Sequence, residues 1–169
     1  MVLGTVNSDT SCDKLNETMI QRFRVYFDRE VAQKAAHSLS NGVEVEIELT
    51  GEHPEIFTFT KAAGKNQIKD GSASSPQLIL KIPPQAAELI LNDPANEVGT
   101  IGVTIAKLVI SSDPERRIRI SLKAGIFSLL THGYLGVVTS GGAQFATYLA
   151  SRGLNGMGAI KDALKRLKD

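Results

Sequence analysis

The chain has a single cysteine, Cys12, no tryptophan, and only 5% aromatic residues. A lone cysteine excludes an internal disulfide and leaves any thiolate metal site without a second sulfur. Scarce rings leave few platforms on which bases or sugars could stack. An excess of one charge is lacking too. The 19 basic and 18 acidic residues give a net charge of +1, and no basic run interleaved with aromatics marks a nucleic-acid surface. Long apolar runs are absent. The longest, Ile126 to Val138, contains Ser128, Thr131, His132, Gly133 and Gly136. It falls short of the roughly 20 residues that a membrane-spanning helix needs. No basic segment followed by an apolar one opens the chain, so no signal peptide is expected. A reducing, cytoplasmic setting is the expectation that fits.

What remains is the material of one globular domain. A chain of 169 residues, 42% hydrophobic and 22% charged, can bury roughly 70% of its unfolded surface. Residues 1–17 are polar and aperiodic and read as a flexible tail. From Thr18 to Leu39, the residues Ile20, Phe23, Phe27, Val31, Ala35 and Leu39 recur every three to four positions, which predicts one helix. Ser40-Asn41-Gly42 ends it. Val43, Val45, Ile47 and Leu49 then alternate with Glu44, Glu46, Glu48 and Thr50, the period of a strand with one apolar and one acidic face. Ile56 to Lys61, Asn66 to Lys69 and Gln77 to Ile82 read as three more strands, separated by turn residues. Pro83-Pro84 stop the fourth strand, and Pro84 suits the first turn of a helix reaching Leu91.

Val98, Ile101, Ile105, Leu108 and Val109 follow helical spacing, so Glu97 to Ser111 is expected to be a helix ended by Ser112-Asp113-Pro114. A fifth strand follows, in which Ile118, Ile120 and Leu122 alternate with Arg117, Arg119, Ser121 and Lys123. From Gly125 onward the chain reads as helix broken by glycines. The last stretch, 154–169, reads as an amphipathic helix. Ala159, Ile160, Ala163, Leu164 and Leu167 form its apolar side, and Lys161, Lys165, Arg166 and Lys168 the other positions. This order of elements predicts an α+β protein, an antiparallel or mixed sheet with helices on one face. Glu44, Glu46 and Glu48 would lie on the wet face, paired with Arg117 and Arg119 of the fifth strand.

No catalytic constellation assembles from these residues, and no metal site or cofactor is expected. His37, His53 and His132 stand at no metal-ligand spacing from another His, Cys or carboxylate. His53 precedes Pro54 in a turn and reads as a solvated loop residue. His132 reads as a satisfied core residue, with a hydrogen bond to a ligand head group as the alternative. Gly-x-Ser-x-Gly is absent. Ser140-Gly141-Gly142 lacks the lysine and hydroxyl that end a phosphate loop, so a plain helix–helix turn is expected there rather than an anion site. One stretch stands out. In Ile126 to Val138, the side chains of Ile126, Phe127, Leu129, Leu130, Tyr134, Leu135, Val137 and Val138 leave no polar face. A helix apolar all round is either a central core helix or is covered by a lipid, a partner or a membrane.

The succession of elements is itself informative. A leading helix is followed by the hairpin Val43 to Thr50 and Ile56 to Lys61. Ser75-Pro76-Gln77-Leu78-Ile79-Leu80-Lys81-Ile82-Pro83 then runs into a helix at Ala86 to Leu91. A second helix, the strand Arg117 to Lys123 and a closing apolar helix complete the series. From roughly Phe27 to Leu149 this resembles the sterol carrier protein 2-type lipid-binding domain family. The likeness lies in element order and hydrophobicity, not in catalytic signatures. The long helix before the fifth strand, the chain beyond Leu149 and the ending Leu167-Lys168-Asp169 depart from the family's pattern.

The resemblance implies a five-stranded, mostly antiparallel sheet covered on one face by helices, with an apolar tunnel between the layers. It also implies non-catalytic binding or carriage of a sterol, fatty acid, acyl-CoA or phospholipid. By position, Ile101, Ile105 and Leu108 from one helix and Phe127, Leu130 and Tyr134 from the last would line that tunnel. The lipid-binding domain would span 18–153. The competing expectation is a protein-interaction module whose apolar helix docks a partner or a second copy. The basic C-terminal helix is expected to pack on the domain, with transient contact to an anionic membrane as the alternative.

Overall fold

The alternation from Val43 onward becomes the centre of a five-stranded sheet. A computed structural model describes residues 18–166 of the chain. The tail expected at 1–17 and residues 167–169 lie outside the described residues. Strand β1 (Glu44–Leu49) pairs antiparallel with β2 (Glu55–Ala62) and parallel with β4 (Leu78–Ile82). β3 (Lys65–Asp70) joins β2, and β5 (Arg119–Leu122) joins β4, both antiparallel. The order is therefore β3-β2-β1-β4-β5. The fold is α+β with a mixed, mostly antiparallel sheet, as the element order predicts. Register sets Val45 opposite Phe59 and Leu78, and Ile47 opposite Phe57 and Leu80. Rows of apolar side chains thus cross the sheet on one face, and Val43, Val45, Ile47 and Leu49 are all buried there.

The helix expected over Thr18 to Leu39 is in fact two, α1 (Met19–Asp28) and α2 (Glu30–Ala35). Arg29 between them is extended, with φ −59° and ψ 143°. Its guanidinium reaches away to donate to the carbonyls of Asp93 and Ala95 and to the Asn96 side chain. The break frees the Phe27 carbonyl, which accepts from Gln33 Nε2 and Asn66 Nδ2, each at 3.2 Å. Every orphaned group near a helix end needs such a partner. α1 lies across β2 and β3, where Phe23 meets Phe57 at 5.3 Å between ring centroids and Phe27 meets Phe59 at 5.0 Å.

Lys61 is the exception on that apolar face. It is 5% exposed, and its Nζ donates to the carbonyls of Ala36 and His37, each at 2.8 Å. A cation at a helix C-terminus satisfies the last carbonyls and the dipole together. α3 (Pro84–Leu91) begins with Pro84 in its first turn, as expected, and buries Ala86, Ala87 and Ile90. α4 (Val98–Val109) follows, burying Ile101 and Leu108.

The far face corrects the sequence reading in two ways. First, Glu46 is 8% exposed rather than solvated, and Glu44 and Glu48 are half-buried. The loop between β3 and β4 straps across them. Ala73 N–H donates to Glu46 Oε2 at 2.9 Å, and Ser75 N–H to Glu44 Oε2 at 2.8 Å. Second, the acidic strand does not pair with the arginines of β5, because β4 lies between them. Its ionic partner is Lys81 of β4, which meets Glu48 at 2.8 Å.

Candidate functional site

The region singled out by composition does not form one helix. Ile126 to Val138 divides into α5 (Ile126–Thr131) and α6 (Tyr134–Ser140). The cause is Gly133, whose φ of +85° belongs to the left-handed region that favours glycine. A Cβ there would lie 1.8 Å from the Ser38 carbonyl oxygen, so no other residue fits. Ser38 Oγ donates to the Gly133 carbonyl at 3.0 Å, and Ser40 N–H to the His132 carbonyl at 3.0 Å. The turn after α2 is thereby pinned to the break. His132 stays local: its Nδ1 lies 2.6 Å from the Ser128 carbonyl at the end of α5. The histidine is satisfied as expected, but half-buried at the end of a helix rather than in the core.

α7 (Gly142–Ser151) lies along α4 and α8 (Gly156–Arg166) contacts α5. Ser140-Gly141-Gly142 is a turn between two helices. Two glycines of α4 bring α7 close. A Cβ on Gly99 would meet the Gly141 carbonyl oxygen at 2.4 Å, and one on Gly102 would meet the Phe145 ring at 3.2 Å. Gly99 stands beside Gly141 and Gly102 beside Phe145, so the two helices run parallel. The spacing Gly99-x-x-Gly102 was the available sequence clue to this approach.

The six residues expected to line a tunnel take different places. Ile101 and Leu108 are buried, and Leu108 joins the central core. Tyr134 packs against the same core, and its hydroxyl donates to Gln77 Oε1 at 3.4 Å. Burial pushes its phenol up to about 12. Leu130 is half-buried, and Ile105 sits at the surface edge with 36% exposure. Phe127 is 79% exposed. Leu108 and Tyr134 are brought together, and Phe127 is not with them.

The layer built by α4 to α7 is unevenly covered. α5 buries only Leu129, while α6 and α7 bury no residue. Leu135, Val137, Val138, Phe145 and Leu149 all stop half-buried. Within this layer the Tyr148 hydroxyl is sealed from solvent and, among the described residues, has no hydrogen-bond partner, although its ring carries Arg152 at 5.4 Å. A buried polar group without a partner costs about 1–3 kcal/mol. Sequence reasoning missed Tyr148, whose only clue was a phenol inside an apolar stretch.

Two clefts open elsewhere. One of about 490 Å³ lies between α2 and α6, over His37, Ser38 and Thr139. The other, of about 200 Å³, lies between α1 and α3, beside Arg22, Tyr26 and Arg29. Neither is lined by any of the six. Among the described residues no group of three or more His, Cys, Asp or Glu could hold a metal ion, and no helix is long and apolar enough to cross a membrane. Comparisons of the chain with protein-family models, with curated proteins and with solved structures found no match.

Proposed function

We propose that this chain holds a lipid-like molecule, without chemistry on it, in the apolar layer that α4 and α5 to α7 build over the sheet. The observation that carries the reading is the contrast in coverage. α1 and α3 bury Phe23, Tyr26, Ala86, Ala87 and Ile90, while the large apolar side chains of α6 and α7 all stop half-buried. An elongated apolar ligand lying over the half-buried side chains of α6 and α7 would complete that cover. Burying about ten CH₂ groups would contribute roughly 8 kcal/mol before the cost of immobilising the ligand. Tyr148 would supply the polar contact that orients it. The ligand classes are those of the sterol carrier protein 2-type domains that the element order resembles: sterol, fatty acid, acyl-CoA or phospholipid.

The test is native mass spectrometry with lipid extraction of the purified protein, followed by titration with a fluorescent fatty acid. Co-purified lipid and saturable uptake support the reading. Ile105→Glu and Leu130→Glu should weaken uptake at least tenfold while circular dichroism stays native, since an unpaired carboxylate in an apolar site is costly. Unchanged uptake by both folded variants refutes it. An empty dimer would instead favour a layer covered by a second copy.

A further inference from the structure

Charge is segregated along this chain. Residues 123–169 carry six basic and two acidic residues, against 13 and 16 in residues 1–122. The net charges are +4 and −3, so the near-neutral total conceals a basic C-terminal layer. Lys123, Arg152, Lys161, Lys165 and Arg166 are all exposed there. The acidic residue among 123–166 is Asp162, which meets Lys165 at 3.3 Å with both side chains 66% exposed. A pair so exposed is worth little and does not cancel the local field.

The second observation concerns Phe127. It lies in the first turn of α5, four residues after Lys123, and α8 contacts that helix. The half-buried side of α8 holds Ala159, Ile160 and Ala163, while Lys161, Lys165 and Arg166 face water. α8 thus has no aromatic anchor of its own, and the helix it contacts, α5, carries an exposed one. A ring 79% exposed is costly in water and suits the boundary between lipid head groups and acyl chains. Single-stranded nucleic acid would ask for successive stacking rings, and one projecting ring does not provide them.

We propose that the face formed by α5 and α8 docks the protein on an anionic lipid bilayer, with Phe127 inserted at head-group depth and Lys161, Lys165 and Arg166 over the phosphates. This rests on the lipid-binding reading, whose cargo it would deliver or collect.

The experiment is sedimentation of the full chain with vesicles of phosphatidylcholine, with and without phosphatidylserine. Partition onto the anionic vesicles is expected, falling as salt rises. A basic residue near such a surface changes partition about fivefold. Lys161→Gln, Lys165→Gln and Arg166→Gln together should therefore lower it on the order of 100-fold. Phe127→Ala should lower it roughly tenfold or more. Lys65→Gln, at the opposite edge of the sheet, should change nothing.

No partition onto anionic vesicles at low salt overturns the proposal, as does wild-type partition by both the triple variant and Phe127→Ala. Retention on nucleic acid or on an acidic protein without vesicle binding overturns it as well. Uptake of the fluorescent fatty acid, measured without vesicles, keeps the two readings apart. A chain that takes up the fatty acid but ignores vesicles overturns the docking alone. One that docks and takes up nothing overturns the carrier reading alone.

Discussion

Replacing Gly99 by alanine tests the close approach on which the apolar layer depends. The new methyl group would stand 2.4 Å from the Gly141 carbonyl oxygen, where real contacts are essentially never under 3.0 Å. α4 and α7 must then part by at least about 0.6 Å, because that oxygen belongs to backbone and cannot swing aside. Overpacking of this kind costs about 1–3 kcal/mol. Alanine returns about 0.4–1 kcal/mol by restricting the unfolded chain and favouring helix. The net expectation is a loss of about 1–2 kcal/mol. Gly102→Ala is the internal comparison. Its methyl group meets the Phe145 ring at 3.2–3.4 Å, and a ring edge can tilt by a few tenths of an ångström. Opposing terms nearly cancel there, and the change should lie within about 0.5 kcal/mol of zero. Urea unfolding followed by circular dichroism measures both. Should Gly99→Ala prove as stable as Gly102→Ala, the parallel contact described for α4 and α7 is wrong.

Three further outcomes follow from particular groups. Tyr148→Phe removes the sealed hydroxyl and should leave stability unchanged or raise it by about 1 kcal/mol. The same change should weaken fatty-acid uptake several-fold, and a destabilised variant would mean that the hydroxyl has a partner in the free protein. Lys61→Met keeps the length of the side chain but abandons two carbonyls at the end of α2. It should cost about 2–3 kcal/mol in urea unfolding, and a neutral result would refute the capping role. Arg22 holds Glu88 through two hydrogen bonds, at 2.5 and 2.8 Å, and this bonding keeps the Glu88 carboxyl below its ordinary value of 4.5. A lowered folded-state value stabilises the protein above the ordinary one and loses that effect as pH falls through the lowered one. The difference in urea midpoint between wild type and Glu88→Gln should therefore be constant near neutrality and shrink below about pH 4.5. A difference independent of pH would count against the pair.

The strands were legible because a period of two fixes which side chains share a face, and burial follows at once. Their order was not. The parallel seat of β4 beside β1 is a non-local pairing, and it separates Glu48 from the β5 arginines that its charge suggested. Helix boundaries failed where periodicity continued through a break. Phe27 and Val31 keep helical spacing across Arg29, and the apolar run continues across Gly133. Both breaks have tertiary causes, the Arg29 bonds to residues 93–96 and the approach of Ser38. The strap over Glu46 escaped notice for a related reason. Its donors are loop N–H groups, which every non-proline residue possesses, so nothing in the letters Ala73 and Ser75 announces them.

The candidate site shows the same division between what composition fixes and what geometry decides. Composition located the apolar stretch, and spacing put Phe127 and Leu130 three residues apart, on one side of a supposed long helix. Both residues lie in α5, which ends before the break at Gly133, so the difference between them runs along this short helix. Phe127 in its first turn is 79% exposed, and Leu130 in its last turn, next to the segment pinned to the chain after α2, is half-buried. The end kept under cover belongs to the layer where a lipid would lie, and the exposed end belongs to the basic face where a bilayer would meet it.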